Sequence, residues 1–253
     1  MNNERPLLGL SALGELIEVY DGCNQCPALC ASRQVVVHAS GSASAPILIV
    51  GEAPGADEDE QGVPFVGKAG QLFMEMLKSA WPESEELERI EEMWDERAGD
   101  NSSYWEALRD FFDDHILWTN VVQCRPEDNR TPIPSEIKAC RDRLIRTIYA
   151  VDPRIIIAAG KTAASALMGK VVQITKDRGT IYDISIPSPA TGEMVRYPML
   201  AILHPAYLLR KGDQGLVSKE RGETYATIQD LKWALELLNQ QYQLEYGTSF
   251  PER

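Results

Sequence analysis

The sequence predicts an α/β protein built on a parallel sheet with helices over both faces. Three observations carry that prediction. Apolar runs of strand length end at Gly, Asn or His, as in "PILIVG", "ILWTN", "RIIIAAG" and "MLAILH". Longer segments with helical spacing alternate with them. The chain has 253 residues at 44% hydrophobic content, enough for one sizeable core.

The elements follow in order. Leu7–Tyr20 has helical spacing of Leu and Ile, and Cys23–Cys30 is a cysteine-rich turn. Val35–His38 reads as a short strand, and Pro46–Val50 as a buried parallel strand ending at Gly51. Gly70–Ala80 is helical. Glu83–Asp114 reads as one or two solvated helices broken at "AGDNSS". Ile116–Val122 is a second core strand. Pro134–Ala150 is a helix with Pro at its start and Ser135 as a cap. Arg154–Ala159 is a third core strand, followed by Gly160 and a helix through Met168. Arg178–Tyr182 and Met194–Tyr197 read as a hairpin around "PSPATG", and Met199–Leu203 as the fourth core strand, ending at His204. A long helix runs from Gly222 to Tyr242, and the tail after Gln243 reads as dispensable. The whole, residues 1–253, reads as one domain with an acidic insertion at 83–114.

The net charge is −13, which argues against a nucleic-acid binder. The charge is concentrated, however. Glu83–Asp114 holds 13 Asp and Glu against 3 Arg, a net of −10, so the rest of the chain is near neutral. No apolar run approaches the ~20 residues of a membrane span. The N-terminal stretch is too acidic and too briefly apolar for a secretory signal. A cytoplasmic protein that does not engage membranes is expected.

Three sets of residues could carry chemistry. The first is a phosphate loop. Gly62 to Lys68 fits G-x-x-x-x-G-K, but Ala69 stands where Ser or Thr must ligate magnesium, and Pro64 removes a donor. Gly160-Lys161-Thr162 follows a strand, yet Ile155 stands where the first glycine belongs. Neither match is complete. The second set is Cys23-x2-Cys26 with the distant pair Cys124 and Cys140. The pattern suits a tetrathiolate site for zinc or an iron–sulfur cluster, and spacing does not choose between them. Buried free thiols are the simpler alternative. Cys30 is a fifth thiol. The third set is Glu52, Phe65, Asn120 and His204, grouped at or near strand ends. An aromatic face, an amide and an imidazole suit a flat heterocycle with donor and acceptor edges.

The segments "GEAPGADEDEQGVPFVGKAGQLF", "TNVVQCRPEDNRTPIPSEIKAC", "ITKDRG" and "HPAYLLR" resemble the family 4, iron–sulfur uracil-DNA glycosylases. The likeness runs in order from about Cys23 to Lys211. It implies a three-layer α/β/α sandwich around a four-stranded parallel sheet. It implies a [4Fe–4S] cluster on Cys23, Cys26, Cys124 and Cys140, with Cys30 outside the ligand positions. It also implies uracil-containing DNA as partner, base flipping, and hydrolysis of the N-glycosidic bond as the first step of base excision repair.

In the matching positions Phe65 stacks on uracil and Asn120 reads its amide edge. His204 donates to uracil O2. Glu52 orients or deprotonates water, or stabilises the sugar cation. The Gly51, Ala53 and Gly55 backbone admits the base, and Glu58 closes the C5 edge. Leu208 is the expected wedge, and Arg210 and Lys211 meet phosphate. Lys161, Lys176 and Arg178 are further backbone contacts to consider. The resemblance includes no histidine placed for a covalent link to DNA, since His38 and His115 lie outside its motifs.

The acidic segment is longer than the corresponding link in the family. A surface insertion, a protein-partner site and a DNA-repelling element are all open, and a monomer is expected. The rival functions are a non-catalytic iron–sulfur or DNA-binding protein and a P-loop NTPase. Intact Glu52, Asn120 and His204 weigh against the first, and the missing P-loop residues against the second.

Overall fold

A computed structural model describes residues 9–95, 101–212 and 221–250, with side chains from residue 12. The parts of Leu7–Tyr20 and "AGDNSS" beyond these limits lie outside the described residues. In chain order the elements are α1 (Gly9–Tyr20), α2 (Pro27–Ser32), β1 (Ser40–Gly41), β2 (Ile47–Gly51), α3 (Ala56–Gln61) and α4 (Lys68–Ala80). Next come α5 (Glu85–Glu91), α6 (Ser102–Asp113), β3 (Ile116–Asn120), a short 3-10 turn, α7 (Pro134–Val151), β4 (Ile155–Ala159) and α8 (Lys161–Met168). The chain then forms α9 (Ile174–Asp177), β5 (Ile181–Pro187), β6 (Met194–Ile202), α10 (Pro205–Arg210) and α11 (Gly222–Tyr246).

The sheet order is β1-β3-β2-β4-β6-β5. Its four central strands, β3, β2, β4 and β6, are mutually parallel, and each edge adds one antiparallel strand. The expected four-stranded parallel sheet is therefore the centre of a six-stranded mixed one. β2, β3 and β4 are buried along their whole length, which is why their sequences are continuous rather than alternating. Successive side chains still point to opposite faces. Ile47 and Ile49 join a core with α4, α6 and α11, while Leu48 and Val50 join a second core with α7 and α8. These two cores make three layers.

Several expectations are corrected. Val35–His38 forms no strand. Val36 and Val37 are buried and the Val37 N–H donates to the Gln123 carbonyl, so the apolar run is satisfied by loop packing. The hairpin's second arm and the fourth core strand are one element, β6, running through Pro198. β4 pairs with β6 only from Met199 onward, so the missing proline N–H costs no bond to β4.

The tail after Gln243 is not dispensable to packing. α11 continues to Tyr246, Arg154 pairs with Glu245, and Phe250 is 2% exposed against Trp81, His115 and Tyr242. The two helices of the acidic segment pack onto the same core. α6 sends Tyr104, Leu108, Phe111 and Phe112 into the core, and α5 adds Leu87 and Ile90. Glu85, Glu86, Glu106 and Asp110 face solvent. No helix among the described residues is long and apolar enough to cross a membrane.

Candidate active site

The four parallel strands end on one side of the sheet, where α/β proteins place their ligands. A cavity of about 720 Å³ opens there. β2 ends in Gly51 and leads to Glu52, β3 ends in Asn120, β4 leads to Gly160, and β6 leads to His204. Glu52, Phe65, Asn120 and His204 all line this cavity, with Ala53, Gly55, Glu58 and Arg210.

Gly51 explains how the ring and the amide meet. It pairs with Asn120 across the β2–β3 ladder. A Cβ at Gly51 would collide with Asn120 Oδ1 and lie 2.8 Å from Phe65 Cζ. Its absence lets both side chains close over the end of β2. Asn120 is 4% exposed, and its amide supplies a donor and an acceptor at the cavity wall.

Phe65 is 6% exposed and has φ +61°, a left-handed conformation that is strained for a bulky residue. Its ring packs on Phe73 and Trp118, at centroid distances of 5.8 and 5.4 Å. Behind it a Cβ at Gly70 would strike the Phe65 carbonyl, so α4 approaches this closely only with glycine there.

Glu58 staples the same loop. Its carboxylate accepts from the Gly55 N–H at 3.0 Å and the Gly67 N–H at 2.9 Å. That places a negative charge where a phosphate loop would need an anion site, so the G-x-x-x-x-G-K match is not a nucleotide cradle. Both Glu58 oxygens are engaged, and the residue shapes the loop that borders the cavity.

His204 caps α10: its Nδ1 accepts the Ala206 N–H at 3.1 Å. An accepting Nδ1 leaves the proton on Nε2, so the neutral ring is a donor. Burial, with the nearby Arg210 charge, lowers its pKa to about 4. A Cβ at Gly160, which has φ +95°, would lie 2.9 Å from His204 Cβ, so glycine admits the imidazole. Thr162, read in the sequence as part of a broken phosphate loop, instead donates its hydroxyl to Glu52. Nothing in the sequence marks that contact, because the partners are far apart in the chain. Tyr207 and Arg130 also line the cavity and were not singled out from the sequence.

Three expected DNA contacts are placed otherwise. Leu208 is 0% exposed in the core and so is not a protruding wedge; on a one-turn helix only some residues face outward, and Leu209 is the half-exposed leucine. Arg178 is committed to an ion pair with Asp230. Lys211 pairs with Glu223 at 3.1 Å, and Arg210 beside it is exposed.

The cysteines lie apart from the cavity. Cys23, Cys26, Cys124 and Cys140 are free thiols that feel one another electrostatically. Burial, then the charges of Cys140 and Cys124, pushes Cys26 up to about 11, and burial likewise raises Cys124 and Cys140. Among the described residues no three His, Cys, Asp or Glu side chains are disposed to hold a single metal ion. A four-iron cubane binds each thiolate at a different iron, so its ligands stand farther apart than those of one ion. Burial and mutual proximity disfavour ionising the four thiols together, so binding them as thiolates would require a cationic centre such as a cluster. Arg33 donates to Cys124 Sγ at 2.9 Å and to the Cys23 carbonyl at 2.6 Å. Cys30 instead donates to the Cys23 carbonyl.

Fold and cavity together place an aromatic ring, an amide, an imidazole and a carboxylate around one cavity at the strand ends of an α/β/α sandwich. A family model for the uracil DNA glycosylase superfamily matches residues 38–232. The chain is 36% identical to a type-4 uracil-DNA glycosylase of Pyrobaculum aerophilum over 79% of its length and 85% of that protein. It is 35% identical to one from Thermotoga maritima, over 78% and 84%. It is 30% identical to one from Archaeoglobus fulgidus, over 79% and 84%. The chain belongs to the uracil-DNA glycosylase superfamily, in its type-4 family.

Proposed function

We propose that this protein excises uracil from DNA by hydrolysing its N-glycosidic bond, leaving an abasic site for base excision repair. The observation that carries this reading is the convergence at Gly51, where a stacking ring and a two-way amide meet at the end of one strand. A base inside a duplex presents neither its face nor its pairing edge, so it must be extruded into the cavity. Phe65 covers the ring. Asn120 donates to a uracil carbonyl and accepts from its N3–H, a pattern that cytosine lacks.

As the glycosidic bond stretches, the sugar gains positive charge and the base gains negative charge on O2. The neutral His204 donates through Nε2–H to that oxygen; such donors lower the barrier by about 3–4 kcal/mol. A neutral donor does this without moving a proton. Glu52, held by Thr162, is the carboxylate that faces the sugar cation and the attacking water. Gly51, Ala53 and Gly55 admit the base, and Glu58 fixes the loop beside it. Arg210, exposed at the end of α10, would meet a phosphate. Cys23, Cys26, Cys124 and Cys140 would hold a [4Fe–4S] cluster. The cluster supplies a cationic cross-link that ties the N-terminal segment to the loop after β3 and to α7.

The test is alkali cleavage of labelled oligonucleotides carrying one uracil, opposite G, opposite A, or single-stranded. Wild type should cut only uracil-containing strands, and Asn120→Ala should abolish most of the cutting. Undiminished cleavage by Asn120→Ala would remove the pocket from the mechanism.

A further inference from the structure

Of the arginines in the acidic segment, Arg109 points inward. Arg109 lies on α6 with its side chain 12% exposed. Its Nη1 donates to the Pro64 carbonyl at 2.7 Å, the peptide oxygen immediately before Phe65. Its Nε donates to Asp113 Oδ1 at 2.7 Å, and the same oxygen accepts from Trp118 Nε1 at 2.7 Å. The guanidinium lies over the Trp118 ring at 4.8 Å, and Phe65 also packs on Trp118, at a centroid distance of 5.4 Å. Pro64, Phe65, Trp118, Asp113 and Arg109 thus form a closed circuit of contacts. Within it Phe65 keeps a positive φ that its side chain disfavours. A conformation of that kind persists only where its surroundings over-determine it, and the Pro64–Phe65 peptide is held at its carbonyl by a charged donor.

We propose that Arg109 is a positioning residue for the base-stacking face of Phe65, and that α6 of the acidic segment is thereby a working part of the base pocket. The proposal rests on the reading that Phe65 stacks on the extruded base. It gives the segment a role in this chain besides its solvated carboxylates: the helix delivers a cation to the back of the loop that carries the ring. Without the Arg109 fork the Pro64 carbonyl loses its donor, and the loop can relax Phe65 toward a negative φ. That turns the ring away from the cavity.

The test is a double-mutant cycle under single-turnover conditions, on a uracil-containing oligonucleotide, with urea unfolding of each variant. Arg109→Met should slow cleavage roughly 10- to 100-fold when Phe65 is present. In a Phe65→Ala background it should slow cleavage by about threefold or less, because the ring it positions is already gone. Arg109→Lys retains a charge beside Asp113 but lacks the fork that serves Asp113 and Pro64 together. It keeps the fold where Arg109→Met does not, and it should show the same dependence on Phe65. An equal loss in both backgrounds, or no loss in either, overturns the proposal. Undiminished cleavage by Phe65→Ala alone would instead remove the stacking reading, and the proposal with it.

Discussion

Gly51→Ala is the sharpest perturbation of the pocket, because it adds one carbon at the point where two recognition groups meet. The backbone tolerates the change: Gly51 is not among the residues with positive φ. Whatever is lost comes from contact alone. The new Cβ would lie 2.8 Å from Phe65 Cζ, where ordinary contact begins at 3.4 Å, so the ring must retreat by about 0.6 Å. Asn120 Oδ1 is closer still and must retreat further. The strand cannot give way instead, since β2 is hydrogen-bonded on both sides to β3 and β4. Overpacking of this kind costs about 1–3 kcal/mol of stability. Misplacement of a recognition group approaching 1 Å costs roughly 100-fold in rate, which is about 2.7 kcal/mol at the transition state. The assay is single-turnover cleavage of a uracil-containing oligonucleotide, developed with alkali, beside a urea titration. Gly14→Ala is the control: no atom lies within 4 Å of a Cβ there, and an exposed helix position gains stability from alanine. Gly51→Ala cleaving within about twofold of wild type would refute the claim that this glycine exists to let the ring and the amide converge.

Thr162→Val removes the hydroxyl that donates to Glu52 and should slow cleavage by roughly 10- to 100-fold, since hydrogen bonds to charged groups are worth about 1.5–3 kcal/mol. An unchanged rate would show that Glu52 needs no such support. His204 has its pKa lowered from 6.5 to about 4, so its contribution to stability is complete above about 6.5 and is lost as pH falls toward 4. Nitrogen NMR should find a neutral ring with an unprotonated Nδ1 at pH 7, and a midpoint near 6.5 would contradict the buried, capped imidazole. Phe250→Ala should cost about 3–5 kcal/mol in urea unfolding, and a chain ending at Gln243 should lose at least as much; equal stability would show that the tail packs without consequence. Cys140→Ser should lower bound iron and visible absorbance, whereas Cys30→Ser should leave both intact, because Cys30 is turned to a carbonyl.

The class of fold was legible in the chain because strand burial is written locally. "ILIVG", "ILWTN" and "IIIAA" are apolar throughout, and each is buried on both faces between helices. The strand-end residues Glu52, Asn120 and His204 were legible for the same reason: they directly follow or close those runs, and topology carries the ends of parallel strands to one side. Leu208 was misread because its exposure depends on which face of a short helix meets the core. The two helices of the acidic segment were legible from its spacing, but how deeply Leu108, Phe111 and Phe112 sit in the core depends on the elements they meet.

By itself, then, the sequence determined the parallel core, the order of its elements and which residues stand at the strand ends. Each of these is set by periodicity or spacing within a few residues. Tertiary structure alone decided that Thr162 supports Glu52, that Gly51 admits both Phe65 and Asn120, that His204 is a neutral donor, and that Arg109 reaches Pro64 from 45 residues away. These are contacts between distant parts of the chain. Their energies depend on distances of a few ångströms, which exist only once the sheet and its two layers of helices have closed.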